Sequence, residues 1–508
     1  METSTSTSPQ SRLTGFRVGT GIPGLDDILG GGLPGNHLYL LEGDPGTGKT
    51  TLAMQFLLEG VRQGDSGLYI TLSESRRELE EVAASHNWSL DGLAIYEMAP
   101  LEDILSAEAQ YTVFHPAEVE LTDTVSAILD QVESIQPRRV VFDSLSEMRM
   151  LARDPLRYRR QILGLKRFFA GRECTVLLLD DHTIGDDDLQ LQSIAHGVII
   201  IQSTARPYGI KRRRLEVRKL RGVSYREGFH DFSIQTGGLQ VYPRLVASEH
   251  RPGFRHSTVS SGIVELDRLL GGGVDRGTST LLMGPAGSGK STVAVRYALA
   301  AAQRGEPAAM FCFDESIETL EHRCKALNME LRPFLDSGKI SLCQIDPAEM
   351  SPGEFVAQVR EHVGKRNARV VVIDSMNGFL NAMPDEQYLT LQLHELLSYM
   401  GQQGVVSLMT LAQHGFMGTS MNTPVDLSYL ADTVVLFRYF EHKGRIKQAI
   451  SVVKKRSGLH ERTIRELDFT KSGLRVGPAL TEFQGVLTGV PEFIGTSQDL
   501  ESGGEADG

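Results

Sequence analysis

Cysteine is scarce in this chain. Four occur in 508 residues, Cys174, Cys312, Cys324 and Cys343. They form no C-x-x-C pair, which argues against a disulfide framework and predicts free thiols in a reducing compartment. Long apolar runs are missing as well. None reaches the roughly 18 residues that a membrane span requires, so no membrane association is expected. Met1 to Gln10 is polar and rich in Ser and Thr, without an apolar signal segment, and a cytoplasmic protein is the default expectation. Positive charge is not in excess. A net charge of −12 argues against a whole-surface nucleic-acid binder and leaves room only for local basic patches. Tryptophan occurs once, as Trp88, in a mixed polar context that reads as a packing position. No loop combines aromatic and basic residues in the way that stacks single-stranded bases.

What remains is an ordinary soluble composition, 41% hydrophobic and 23% charged, with 52 glycines. Several of those glycines recur at a fixed spacing. Gly21-Ile22-Pro23-Gly24-Leu25-Asp26, followed by Gly30-Gly31-Gly32, returns as Gly262-Ile263-Val264-Glu265-Leu266-Asp267, followed by Gly271-Gly272-Gly273. The interval is 241 residues, and it also relates Lys49 to Lys290 and Glu74 to Glu315. Further on it drifts, to 231 between Asp143 and Asp374 and 235 between Lys219 and Lys454, as insertions in loops allow. A chain this long exceeds one core, and the repeat makes it two copies of one fold. The expected division is a disordered tail over 1–12, a first domain over 13–247, a linker over 248–256 marked by Pro252 and Gly253, a second domain over 257–490, and a disordered tail over 491–508.

Each copy carries a glycine loop between a short apolar strand and an amphipathic helix. The first reads Gly43-Asp44-Pro45-Gly46-Thr47-Gly48-Lys49-Thr50-Thr51, and the second Gly284-Pro285-Ala286-Gly287-Ser288-Gly289-Lys290-Ser291-Thr292. Strand, loop and helix in that order are the context a P-loop needs. The glycines let backbone N–H groups converge on phosphate oxygens. Lys49 and Lys290 are expected to reach the β- and γ-phosphates of ATP, and Thr50 and Ser291 to bind Mg²⁺. A later strand in each copy ends in an acid, Val140-Val141-Phe142-Asp143 and Val370-Val371-Val372-Ile373-Asp374. The carboxyl end of a buried parallel strand faces the ligand crevice, so Asp143 and Asp374 are expected to hold Mg²⁺ through water. Another acid-ended strand, Tyr69 to Glu74 and Ala309 to Glu315, supplies a carboxylate to orient water or accept a proton: Glu74 in the first copy, Asp314 and Glu315 in the second. The fold expected is α/β, two tandem P-loop domains, each a mostly parallel twisted sheet flanked by helices.

These motifs resemble the RecA-like ATPases and, more closely, the KaiC family, the two-domain ATPase and autokinase of the circadian clock. The resemblance runs from about Thr14 to about Pro491 and includes the opening motif, both glycine loops, both acidic strand ends and two late basic segments, Val217-Arg218-Lys219-Leu220-Arg221 and Val452-Val453-Lys454-Lys455-Arg456. It implies a homohexamer of two stacked rings with ATP between subunits, an ATPase in the first ring and a serine/threonine autokinase in the second. It implies that Lys219, Arg221, Lys454 and Arg456 reach the neighbour's γ-phosphate. Anchored on Asp432-Thr433, it places the first phosphoacceptor on Ser428 and the second, a Thr in the family, on Tyr429. It makes Asp314 the general base of the kinase and leaves Glu74 alone in the first copy, where Ser73 takes the first acidic position. Glu482 to Gly489 resembles the end of the family's second domain, and its regulatory tail is not recognisable from Phe493 to Gly508. A signalling partner of unknown identity is implied. Two further readings stay open: an ATP-gated scaffold without kinase activity, and a RecA-type DNA-dependent ATPase.

Overall fold

The computed structural model describes residues 16–98, 116–152, 154–181, 188–206, 208–250, 253–381, 386–413, 427–487 and 491–494. Arg251 and Pro252 of the expected linker, Asp426 before the acceptor segment, and the expected tails over 1–12 and from 495 onward lie outside these residues. The chain divides into two compact units between Arg244 and Leu245. Leu245 and Ala247, which the sequence reading assigns to the first domain, are buried in a core of the second unit.

The first unit holds a nine-stranded sheet. Its strands are β1 (Leu38–Gly43), β2 (Gly67–Thr71), β3 (Leu93–Glu97), β4 (Arg139–Asp143), β5 (Thr175–Asp180), β6 (Gly197–Thr204), β7 (Arg212–Leu220), β8 (Phe229–Gln235) and β9 (Gly238–Tyr242). Their order is β3-β2-β4-β5-β1-β6-β7-β8-β9. The six strands from β3 to β6 pair in parallel. The last three extend that sheet as an antiparallel meander. The second unit repeats this order with β10 (Ser279–Gly284), β11 (Ala308–Cys312), β12 (Ile340–Gln344), β13 (Val370–Asp374), β14 (Val406–Ala412), β15 (Thr433–His442), β16 (Arg445–Lys455), β17 (Arg465–Thr470) and β18 (Gly473–Ala479). The expected α/β architecture is thus present twice.

The inner parallel strands are mostly apolar because both faces are covered. Side chains alternate across the pleat. Tyr39, Leu41, Tyr69 and Val141 enter one core layer of the first unit, while Leu40, Leu68, Ile70, Val140 and Phe142 enter the other. The second unit divides in the same way, with Leu282, Met310 and Val372 on one face and Leu281, Phe311 and Val371 on the other. Trp88 packs against the first unit's core and beside His86, ring centroids 4.6 Å apart, as its sequence context suggests.

Candidate nucleotide sites at the carboxyl ends of the parallel strands

In each unit the central strand runs straight into the glycine loop and then into a helix, α1 (Lys49–Gln63) after β1 and α4 (Lys290–Gln303) after β10. The turn into the helix is left-handed at Gly48 (φ 109°) and Gly289 (φ 97°). These positions need glycine on two counts. L side chains disfavour that backbone region, and a Cβ would meet Ile234 Cδ1 at 2.7 Å in the first unit and Phe469 Cζ at 2.2 Å in the second. Ile234 lies on β8 and Phe469 on β17, so the antiparallel extension of each sheet presses on its own loop. The helix N-terminus then aims unpaired N–H groups and the positive end of its dipole into the cleft, where phosphates are stabilised.

The two lysines have different surroundings. Lys49 Nζ donates to Gly43 O at 2.6 Å and to Asp44 O at 3.1 Å, and forms an ion pair with Asp181 Oδ1 at 2.8 Å. Lys290 Nζ donates to Pro285 O at 2.6 Å, and burial lowers its pKa to about 8. Asp180 and Asp181 close β5, and the strand pairing sets Leu411 and Ala412 at the matching places on β14. The acidic pair was not singled out in the sequence because it belongs to no loop motif.

Each P-loop hydroxyl meets the strand-end acid predicted for it. Thr50 Oγ1 donates to Asp143 Oδ2 at 3.2 Å, and Ser291 Oγ to Asp374 Oδ1 at 3.0 Å. Both acids are nearly buried, and burial pushes both pKa values up, opposed by the hydroxyls that donate to them. Tyr69 donates to Asp143, and Thr410 to Asp374. A hydroxyl and a carboxylate at one point are hard oxygen donors that suit Mg²⁺, a cation that keeps waters and takes substrate phosphate oxygens for the rest of its shell. Among the described residues, no group of three or more His, Cys, Asp or Glu side chains converges to hold a metal by itself.

The acids after the second strand differ between copies. Each stands just before a helix with a serine cap: α2 (Arg76–Ser85), capped by Ser75, and α5 (Ile317–Ala326), capped by Ser316. Glu74 Oε2 is buried and has no hydrogen-bond partner among the described residues. Burial, then the nearby Asp143 and Glu78 carboxylates, raise the Glu74 pKa to about 7 against the pull of Lys49. Glu315 is instead gripped by Arg323, whose Nε and Nη2 donate to its two oxygens at 3.1 and 2.9 Å. Asp314 accepts from the Ser375 hydroxyl. Arg323 lies in the last turn of its helix among other polar residues, and no sequence motif marks it.

The four basic residues share one arrangement. A bulge between Val198 and Ile199 in the β6–β7 pairing, and another between Val434 and Val435 in the β15–β16 pairing, fall beside Lys219 and Lys454. Such bulges re-aim side chains. Lys219 Nζ donates to Gln192 O at 2.5 Å and Ala195 O at 2.9 Å, and Arg221 Nη2 to Ser193 O at 2.8 Å, at the end of α3 (Asp188–Ile194). Lys454 Nζ donates to Ser428 O and Ala431 O, both at 2.7 Å, and Arg456 Nη2 to Tyr429 O at 2.7 Å. The correspondence places Gln192 where the second copy has Ser428, and Ser193 where it has Tyr429. Ser428 is half-buried and Tyr429 is 53% exposed.

A duplicated parallel sheet with a phosphate loop, a hydroxyl–acid pair and a second-strand carboxylate in each half is matched by a family model. The model is the ATPase family KaiC, and it matches residues 18–246 and 259–481. The chain belongs to the KaiC family. Among curated relatives, it is 26% identical over 510 residues to "Circadian clock oscillator protein KaiC" of a Picosynechococcus species, covering 96% of this chain and 94% of that protein. The protein of the same name from Thermosynechococcus vestitus is 25% identical, with 98% and 96% covered. "Circadian clock protein KaiC3" of a Synechocystis species is 24% identical, with 95% and 96% covered. Membership of this ATPase family supports ATP binding and hydrolysis by the two KaiC-type units. No helix among the described residues is long and apolar enough to cross a membrane.

Proposed function

We propose that this chain is a hexameric KaiC-type ATPase and serine autokinase, with ATP at subunit interfaces in both of two stacked rings and a role in timing or signalling. The names of the relatives point to the clock. The observation that carries the kinase reading is the grip of Lys454 and Arg456 on the backbone of Ser428, Tyr429 and Ala431. Two charged donors hold the acceptor segment by its carbonyls, and the backbone they fix sets where Ser428 lies. A neighbour's γ-phosphate in reach of the same two cations would meet that segment, and phosphoryl transfer depends mainly on positioning of this kind.

In this reading the two copies divide the chemistry. In the first, loop N–H groups and Lys49 hold the phosphates, and Glu74 takes a proton from the attacking water. In the second, Lys290 and the loop hold ATP, and Asp314 takes the Ser428 proton as the Ser428 Oγ–Pγ bond forms and the bond from Pγ to ADP breaks. Thr50 with Asp143, and Ser291 with Asp374, would hold Mg²⁺, which supplies charge neutralisation for the phosphates. Gln192 at the place matching Ser428 gives the first copy no acceptor hydroxyl there. Tyr429 replaces a short hydroxyl by a longer, planar phenol, so a single acceptor at Ser428 is the expectation.

The test uses γ-labelled ATP and locates label by peptide mass spectrometry. Label on Ser428 that disappears in Lys290→Ala and in Ser428→Ala supports the autokinase. Hydrolysis with no protein-bound label supports the ATP-gated scaffold instead, and hydrolysis stimulated by single-stranded DNA in a salt-sensitive manner supports the DNA motor.

A further inference from the structure

The two glutamates that occupy matching places, Glu74 and Glu315, are presented by helices in the same register. Residues Arg76–Ser85 and Ile317–Ala326 stand 241 positions apart, as do the glutamates and the loop lysines. At that interval Arg323 of the second copy matches Val82 of the first. Val82 packs against the apolar core of its unit. Arg323, longer and charged, lines a cleft of about 360 Å³ together with Lys290, Ser291, Glu315 and Phe469. Its planar fork engages both oxygens of Glu315, and its third nitrogen, Nη1, donates to Thr292 Oγ1 at 2.8 Å. The clamp therefore ties the carboxylate to the residue after the magnesium-binding Ser291.

We propose that Arg323 is a positioning residue that withholds Glu315 from water and thereby biases the second-copy site toward phosphoryl transfer over hydrolysis. This rests on the reading that the second site carries out phosphoryl chemistry. Hydrolysis forms a bond from water oxygen to Pγ, breaks the bond from Pγ to ADP, and needs a carboxylate to take the water proton. A carboxylate whose two oxygens both accept guanidinium N–H groups is a poor acceptor for that proton and is held on the helix side of the cleft. Asp314, one residue earlier, keeps its own partner in Ser375 and lies outside the clamp. Among the described residues the first copy has Val82 and no clamp, and Glu74 keeps a buried oxygen without a partner there. One arginine thus separates a hydrolytic site from a transfer site built on the same loop.

The experiment uses the full-length chain carrying Lys49→Ala, so that only the second site turns over. Phosphate release, label on the protein, and the Kd of a fluorescent ATP analogue are measured for Arg323, Arg323→Val, Arg323→Lys and Arg323→Val with Glu315→Gln. Freeing a positioned base is expected to raise kcat for hydrolysis by about tenfold or more, a part of the roughly 10²- to 10⁴-fold that a fully effective general base contributes. KM and Kd stay within about twofold, as for a change confined to the chemical step. Adding Glu315→Gln abolishes the gain, and Arg323→Lys gives an intermediate rate because a point charge cannot reproduce the fork. An unchanged or lower kcat overturns the proposal, as does a gain that survives Glu315→Gln. So does a loss of analogue affinity beyond about tenfold, which would make Arg323 a nucleotide contact. If hydrolysis rises as expected but no variant places label on the protein, the clamp stands and the autokinase reading fails.

Discussion

Glu74 is expected to give the first nucleotide site a steep pH dependence. Burial is the main reason its pKa rises to about 7, with Asp143 and Glu78 adding repulsion and Lys49 opposing them. A general base works only when ionised. A carboxyl with a pKa near 7 is about one-tenth ionised at pH 6 and about nine-tenths at pH 8. First-copy kcat/KM, which reports the free enzyme, should therefore rise about tenfold between those two values. An exposed glutamate would already be fully ionised at pH 6 and would give a flat profile. The assay is phosphate release at low ATP in the Lys290→Ala chain, in which only the first site turns over. Glu78→Gln removes one repulsive neighbour and should move the inflection to lower pH. Glu74→Gln should remove the inflection and lower the rate by about 10²- to 10⁴-fold. A flat profile from pH 6 to 8, or an inflection that survives Glu74→Gln, would refute the assignment.

Three further outcomes are expected. Lys290 is charged below a pKa of about 8 and neutral above it, so ATP affinity at the second site, measured in Lys49→Ala by titration calorimetry, should fall about tenfold per pH unit above pH 8. Asp181 competes with phosphate for Lys49 across 2.8 Å, and Asp181→Asn, measured in Lys290→Ala, should tighten ATP binding by up to about fivefold, the worth of a partly exposed ion pair. Arg139 is 1% exposed and donates to Gly19 O, Phe56 O, Gln63 and Asp65; Arg139→Leu strands those acceptors and should cost the first unit about 3 kcal/mol, or roughly 6–12 °C in the melting temperature of a domain this size.

The parts of the site that were legible in the sequence are those that backbone geometry dictates. Gly48 and Gly289 must be glycine to turn the loop past Ile234 and Phe469, and a turn of that kind repeats as a spaced pattern. Asp143 and Asp374 end runs of apolar residues, and an acid there has little reason to exist apart from a ligand crevice. The parallel sheet was legible for the same reason, since strands covered on both faces carry continuous apolar runs. What stayed hidden depends on contacts between residues far apart in the chain. Asp181 meets Lys49 across 132 positions, and Tyr69 meets Asp143 across 74. Arg323 looks like any arginine on a helix surface until its fork is seen on Glu315. The bulges that aim Lys219 and Lys454 are features of strand pairing, and no single strand announces them. The division near Arg244 was placed a few residues late because Leu245 and Ala247 follow the last strand of the first sheet yet bury their side chains in the second unit.

The claim on which the rest stands is that each copy holds its own ATP. Equilibrium binding of a non-hydrolysable ATP analogue with Mg²⁺ to the intact chain, to Lys49→Ala and to Lys290→Ala tests it, because the two P-loop lysines lie in different units. With two matched KaiC units in the chain, two analogue molecules are expected to bind per chain at saturation, and one in each variant. One molecule per intact chain, or a variant that keeps both, would contradict it.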